Sequence, residues 1–207
     1  MKKIVIGILL TATFALSSAA AVRIGLGGNY ARAFTASYGE GLAYGVGLAV
    51  DVFPFLAVGV RVTHFELRGE GAADGLSKGR LSSMPVEFEI QARLPFGSVV
   101  TPYLAVGAGY AWNSFRLDTG LSGTWNDAGF SVSESVKDGF VALTGIGIDF
   151  AVRRWLVVNI EGRAVFMNAT NGSWTINDIA TGGKVSGTLR GLRWNSALAG
   201  LSLKWVF

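Results

Sequence analysis

Reading every second residue splits this chain into two chemically different sets, and that split limits its folds more than any motif does. Between positions 42 and 52 one set is Leu42, Tyr44, Val46, Leu48, Val50 and Val52, and the other is Ala43, Gly45, Gly47, Ala49 and Asp51. In "VEFEIQARL", Val86, Phe88, Ile90, Ala92 and Leu94 alternate with Glu87, Glu89, Gln91 and Arg93. "WLVVNIEGRAVF" sets Leu156, Val158, Ile160, Ala164 and Phe166 against Asn159, Glu161 and Arg163. A period of two is that of a β-strand, whose successive side chains point to opposite faces. The pattern recurs at about 22–33, 41–52, 55–67, 82–94, 102–115, 139–151, 154–167 and 192–207. Each stretch has the roughly 9–11 residues that a tilted strand needs to cross a bilayer.

The placement of charge decides what the two faces meet. The apolar parity carries no charged residue at membrane depth, while the other parity carries many. A charged side chain facing lipid at mid-depth costs about 2–4 kcal/mol, a penalty that a lumen-facing one escapes. A soluble sandwich would show the reverse, with polar residues on its outer faces. Half of the residues are hydrophobic and 15% charged, yet beyond residue 21 no apolar run approaches the roughly 18 residues of a membrane-spanning helix. The expected fold is therefore all-β: an eight-stranded, antiparallel, up-and-down transmembrane β-barrel.

Positions 1–21 read as a cleavable signal peptide: a charged MKK, an apolar IVIGILLTATFAL, and the small residues SSAAA ahead of a cut after Ala21. Residues 22–207 then make one barrel domain. Of 18 basic residues Lys2 and Lys3 fall in the leader, leaving 16 against 14 acidic, a net charge of +2. No basic cluster remains, which speaks against a nucleic-acid partner. With no cysteine and His64 as the single histidine, no disulfide framework and no metal site is expected, and no cofactor is implied.

The connections alternate in length. Phe53-Pro54, Pro95–Thr101 and Ala151–Arg153 are short; the links at roughly 34–40, 68–81, 116–138 and 168–191 are long, polar and glycine-rich. Short turns at one rim and long loops at the other imply that both termini lie on the short-turn, periplasmic side. Phe53, Phe55, Phe96, Tyr103, Phe150, Trp155, Trp205 and Phe207 gather by the short turns, and Tyr30, Tyr44, Tyr110, Trp112 and Phe166 sit near the opposite ends. Two aromatic girdles at the two interfaces are expected. The repeated Gly-x-Gly pairs, Gly25/Gly27, Gly45/Gly47, Gly107/Gly109 and Gly145/Gly147, all fall on the lumenal parity. An eight-stranded barrel is so narrow that side chains fill it, and glycine leaves room where a long side chain crosses.

Together "RLPFGSVVTPYLAVGAGYAWN", "GIGIDFAVRRWLVVNIEGR" and the closing "ALAGLSLKWVF" resemble the small eight-stranded outer-membrane β-barrels of Gram-negative bacteria, the OmpX-like and OmpA-transmembrane-domain-like group. The resemblance covers residues 22–207. It implies that Leu201, Leu203, Trp205 and Phe207, on one parity, form the signal read by the barrel-assembly machinery. It also implies outer-membrane lipid and lipopolysaccharide as surroundings. A monomer is expected, since closure leaves no strand edge demanding a partner. The group hosts structural, adhesive, channel and enzymatic members, so fold alone does not give function.

The lumenal parity carries Arg23, Asp51, Arg61, Glu87, Glu89, Arg93, Asp149, Glu161, Arg163 and Lys204, balanced between the two signs. Counting from the short turns puts Arg61, Glu87, Glu89, Glu161 and Arg163 near mid-depth and the others lower. Buried charges must pair, so a cross-barrel network plugging the lumen is expected, with Arg61 bridging to Glu87, Glu89 or Glu161. His64 lies near the outer rim on the lipid-facing parity. A lipid hydrolase would need it beside a serine and an acid; Ser82, Ser83, Ser114 and Glu66 are within range, but no motif ties them together, and no enzyme is expected. Trp125 and Trp174 stand among small polar residues in the two longest links, where they would either anchor an extracellular partner or pack protruding hairpins. The function expected is a structural or surface-interaction role through the loops. A channel for small or apolar molecules, OmpW-like, is the alternative.

Overall fold

The computed structural model describes residues 21–34, 39–69, 78–94, 96, 99–167, 170–192 and 194–207. The expected leader lies outside them, apart from Ala21. Eight strands close into one antiparallel barrel: β1 (Val22–Ala33), β2 (Glu40–Phe53), β3 (Leu56–Gly69), β4 (Gly79–Arg93), β5 (Val100–Leu117), β7 (Gly139–Arg153), β8 (Leu156–Met167) and β11 (Ser196–Val206). Each pairs with its sequence neighbour among these eight, and β1 with β11 closes the ring. The closing seam runs from Arg23 opposite Val206 to Ala33 opposite Ser196. Val22 and Phe207 add two backbone hydrogen bonds below it, at 3.1 and 2.9 Å. Closure leaves the eight-stranded sheet without a free edge strand, as a bilayer requires.

The two longest links are folded, not irregular. The first holds a short helix, α1 (Thr119–Asp127), and β6 (Phe130–Val136); the second holds β9 (Thr170–Asp178) and β10 (Lys184–Leu192). β6, β9 and β10 make a separate three-stranded sheet. The last barrel strand therefore starts at Ser196, since Leu192 belongs to β10. Asp118 caps α1 by accepting from the Gly120 N–H at 2.9 Å, which satisfies one of the helix's orphan donors. Gly129, with φ of 83°, makes the left-handed step from α1 into β6 that other residues resist.

The apolar parity faces outward as a belt. Leu104, Val106, Phe88, Ile146, Ile160 and Leu201 are 50–64% exposed, with no second sheet over them. That much exposed hydrocarbon on one wall is a surface for lipid, not water. Aromatics flank it: Phe53 stacks on Phe55 at the short-turn rim, and Tyr110 meets Trp112 and Phe140 edge-on at the long-loop rim. Tyr103 departs from the expected girdle. It is 3% exposed and points into the lumen, because it shares the odd-numbered parity of Ala105, Gly107 and Gly109 on β5.

The lumen has two layers. Below lies the ionic filling described next. Above it Phe65, Leu67, Leu81, Leu192, Trp194 and Met167 form an apolar layer with smaller residues from the barrel strands, Ala31, Ala43, Ala111, Val141, Val165 and Leu198. Phe65, Leu67, Leu81 and Trp194 have no exposed surface. The ionic filling stops at about Thr63 and Glu87. The wall is also interrupted at this level. β3 and β4 pair at Val62/Val86 and again at Phe65/Ser83, but not at the positions between. Pro85, fully buried in β4, has no N–H to give.

Candidate functional site: the filled lumen

Each mid-depth charge has a glycine as its partner in the ladder. Arg61 pairs with Gly47, Glu87 with Gly109, Glu89 with Gly107, Arg163 with Gly145 and Glu161 with Gly147. The space that the Gly-x-Gly repeats supply is therefore beside each long side chain, on the next strand, more than across the barrel. A Cβ at Gly145 would stand 3.0 Å from Cγ of Arg163, and one at Gly147 would enter the Tyr103 ring. The repeats let neighbouring strands hold bulky ionic side chains on one narrow surface.

In the upper ionic tier, Nη1 and Nη2 of Arg61 donate to Oε1 and Oε2 of Glu161 at 2.7 and 3.2 Å. Arg163 donates from Nη1 to Oε2 of Glu89 at 2.8 Å and approaches Oε2 of Glu161 at 3.2 Å. Arg61 Nε lies 3.6 Å from Oε2 of Glu89, which also accepts from Gln91 through Oε1 at 2.6 Å. The result is a four-membered ring of alternating charge. Glu87 is outside it. Although only 2% exposed, it makes no ion pair among the described residues, and its Oε1 has no hydrogen-bond partner.

In the lower tier Asp149 is the hub. Its Oδ2 accepts from Arg93 Nη2 at 2.6 Å and Arg23 Nη1 at 3.3 Å, and its Oδ1 from Lys204 Nζ at 2.7 Å. Arg23 also donates to Asp51 at 2.6 Å. These contacts are charge-assisted and largely removed from solvent, which makes them short and geometrically exacting. No ion pair joins the tiers among the described residues. Neutral side chains do so. Gln91, which donates to Glu89, accepts from Arg93 at 3.3 Å. Two others were not singled out by sequence reasoning: the Tyr103 hydroxyl donates to Glu161 Oε2 at 2.9 Å, and Asn159 Nδ2 donates to Asp149 Oδ1 at 2.9 Å and to the Tyr103 oxygen at 3.2 Å. Ser202 donates to Asn159 Oδ1 at 3.1 Å. Their lumenal parity was the available signal; Tyr103's girdle-like position and the neutrality of both hid it.

A void against the glycine wall of β1 and β2, bounded by Arg23, Arg61 and Lys204, measures about 20 Å³. That is room for roughly one water.

The other sites divide. Leu201, Leu203 and Phe207 face outward on the closing strand at 59, 44 and 74% exposure, with Trp205 on the same parity. Trp174 lies on Gly187, its partner across β9 and β10, which favours a packing role. Trp125, 38% exposed, meets Phe130 edge-on. His64 meets Tyr44 at a tilt of 44° with ring centroids 5.0 Å apart, and its Nε2 is 3.8 Å from Glu66. Ser83 points inward instead and donates to Asn113. Among the described residues no group of metal-ligating side chains is assembled.

No family model and no curated protein sequence matches this chain. Solved structures do. OprG of Pseudomonas aeruginosa superposes with a TM-score of 0.61 at 15% identity, over 90% of this chain and 96% of that one. A major outer membrane protein of Thermus thermophilus gives 0.58 at 12%, covering 91% and 100%. Neisserial surface protein A gives 0.55 at 12%, covering 92% and 98%. The chain has the fold of the small outer-membrane β-barrels.

Proposed function

With the fold of the small outer-membrane barrels as the premise, we propose that this chain is an integral outer-membrane barrel whose lumen is a closed plug and whose role lies in its surfaces. The observation that supports it most is the double filling: two ion-pair tiers under an apolar layer, with a void of about 20 Å³ left between them and the wall. In this reading residues 1–21 are the export leader, both termini are periplasmic, and Leu201, Leu203, Trp205 and Phe207 address the chain to the assembly machinery. The barrel works as a monomer among lipid and lipopolysaccharide. The small sheet of β6, β9 and β10 is the platform offered to an extracellular partner.

A second reading has one specific support. The unpaired stretch of wall beside Pro85 lies where the lumen turns apolar, so an apolar solute entering from outside would meet a weak place between β3 and β4. This is the channel alternative, running through the wall instead of along the axis. Proteoliposome swelling with small polar solutes, combined with uptake of an apolar dye, separates the readings. A plug admits neither solute. A wall route admits the dye alone, and Pro85→Ala slows it by restoring a ladder hydrogen bond. Swelling in polar solutes would reject both.

A further inference from the structure

Three arginines stand side by side on the outer wall. Arg68 of β3 is the ladder partner of Arg80 on β4, and Arg80 is the partner of Arg116 on β5. All three share the lipid-facing parity. Like charges placed directly opposite one another destabilise a sheet. The acids near the row do not cancel it. Glu66 is 3.9 Å from Arg80, a loose contact between side chains 48 and 68% exposed. Asp118 is engaged in capping α1. Arg68 and Arg116 have no ion pair among the described residues.

The height of the row is telling. On β5 the outward positions climb from Tyr110 and Trp112 through Ser114 to Arg116. Four residues of a strand tilted by roughly 40° rise about 10 Å. Aromatic belts sit at headgroup level, so the row stands above the belt, and the long arginine side chains reach back down the wall toward the lipid phosphates. At that same level the inward residues are the buried Leu67 and Leu81. A guanidinium presents a planar fork of donors matched to phosphate oxygens.

We propose that Arg68, Arg80 and Arg116 form a binding site on the barrel's outer wall for the phosphate groups of lipopolysaccharide, with the acyl chains lying on the apolar belt below. The site rests on the outer-membrane reading of the fold. A bound phosphate turns the like-charge row from a cost into a clamp. Lipid, not a free anion, is the occupant because the row faces the bilayer side and continues downward into exposed Tyr44, Trp112 and Met84.

The test is native mass spectrometry of the refolded full chain titrated with lipopolysaccharide in detergent, for the wild type, for R68Q/R80Q/R116Q, and for R153Q/R154Q/K184Q as a control of equal charge loss. Heat-modifiable migration on a gel is recorded for each, so that failure of the barrel is seen separately. The expected result is one lipopolysaccharide on the wild type and the control, and roughly hundredfold weaker binding to the arginine variant. Millimolar inorganic phosphate should not displace it. Equal loss in both variants would overturn the site, as would a wild type that folds yet retains no lipid. Displacement by inorganic phosphate alone would make it a free-anion site and overturn the lipid assignment.

Discussion

Below the level of Thr63 and Glu87 the lumen is polar; above it the lumen turns apolar, while the outer wall stays apolar through Tyr44, Met84 and Trp112 and becomes charged only at Arg68, Arg80 and Arg116. On β3, Arg61 points inward between Val60 and Val62, while four residues later Phe65 points inward between His64 and Glu66. On β4, Glu87 and Glu89 are lumenal below, and Leu81 is lumenal above with Arg80 outward. The strand does not change; its surroundings do. Inside hydrocarbon, outward charge is costly and the lumen must take it. Toward the long-loop rim, ordinary burial returns and the interior becomes an apolar core.

The two halves should therefore fail in different ways. Asp149→Ala should have the largest effect. It strands Arg93 and Lys204 in a desolvated tier and leaves Arg23 with Asp51 alone, and removing one partner of a buried pair costs about 3–5 kcal/mol. Urea unfolding of the barrel in lipid vesicles would read this as a lowered midpoint, with D149N milder but still destabilised. Phe65→Ala removes apolar volume from the upper layer. By the same measurement it should cost up to about 3–5 kcal/mol through lost burial and the cavity left behind. Added salt should leave that cost unchanged. Because Asp149 lies in the lower ionic tier and Phe65 in the apolar layer above the upper one, the double variant should be close to additive.

Smaller effects sharpen the picture within the ionic half. Gly147→Ala meets the Tyr103 ring and should cost about 1–3 kcal/mol. Gly47→Ala meets nothing closer than 3.8 Å and should be nearly neutral. If the two behave alike, the glycines are not there to make room. Glu87→Gln should be the mildest and of opposite sign. A buried carboxylate outside the ion-pair ring is a liability, so its unfolding midpoint should stay level or rise, while Glu89→Gln, which strips Arg163 of a partner, lowers it.

How much of this could be read from residue order follows from the same change along the lumen. The eight strands and the outward belt were legible because a single large apolar residue at every second position has one meaning in a strand. The lumenal charges were legible for the same reason, as lone Arg, Glu and Asp in an otherwise small-residue parity. The apolar upper layer was not. Phe65, Leu67 and Leu81 sit where both parities contain hydrophobic residues and charges, so alternation loses its sign there. Tyr103 and Asn159 were missed because neutral polar residues fit either face. Trp194 follows β10 and reaches the layer only through the tertiary fold. Within the links, protruding hairpins were legible from their alternating apolar residues, while α1 and the pairing of β9 with β6 were not, because neither is announced by local sequence. The partner choice of Arg61, Glu161 over Glu87, is a matter of strand stagger that parity alone leaves open.

The central claim is that both layers together close the axis of the barrel. Single-channel recording of the purified, refolded chain in a planar bilayer tests it most directly. The account predicts a silent wild type, with at most brief, small events, and no lasting pore in Arg61→Ala unless Trp194→Ala is added. A steady, large conductance from the unaltered chain would contradict it.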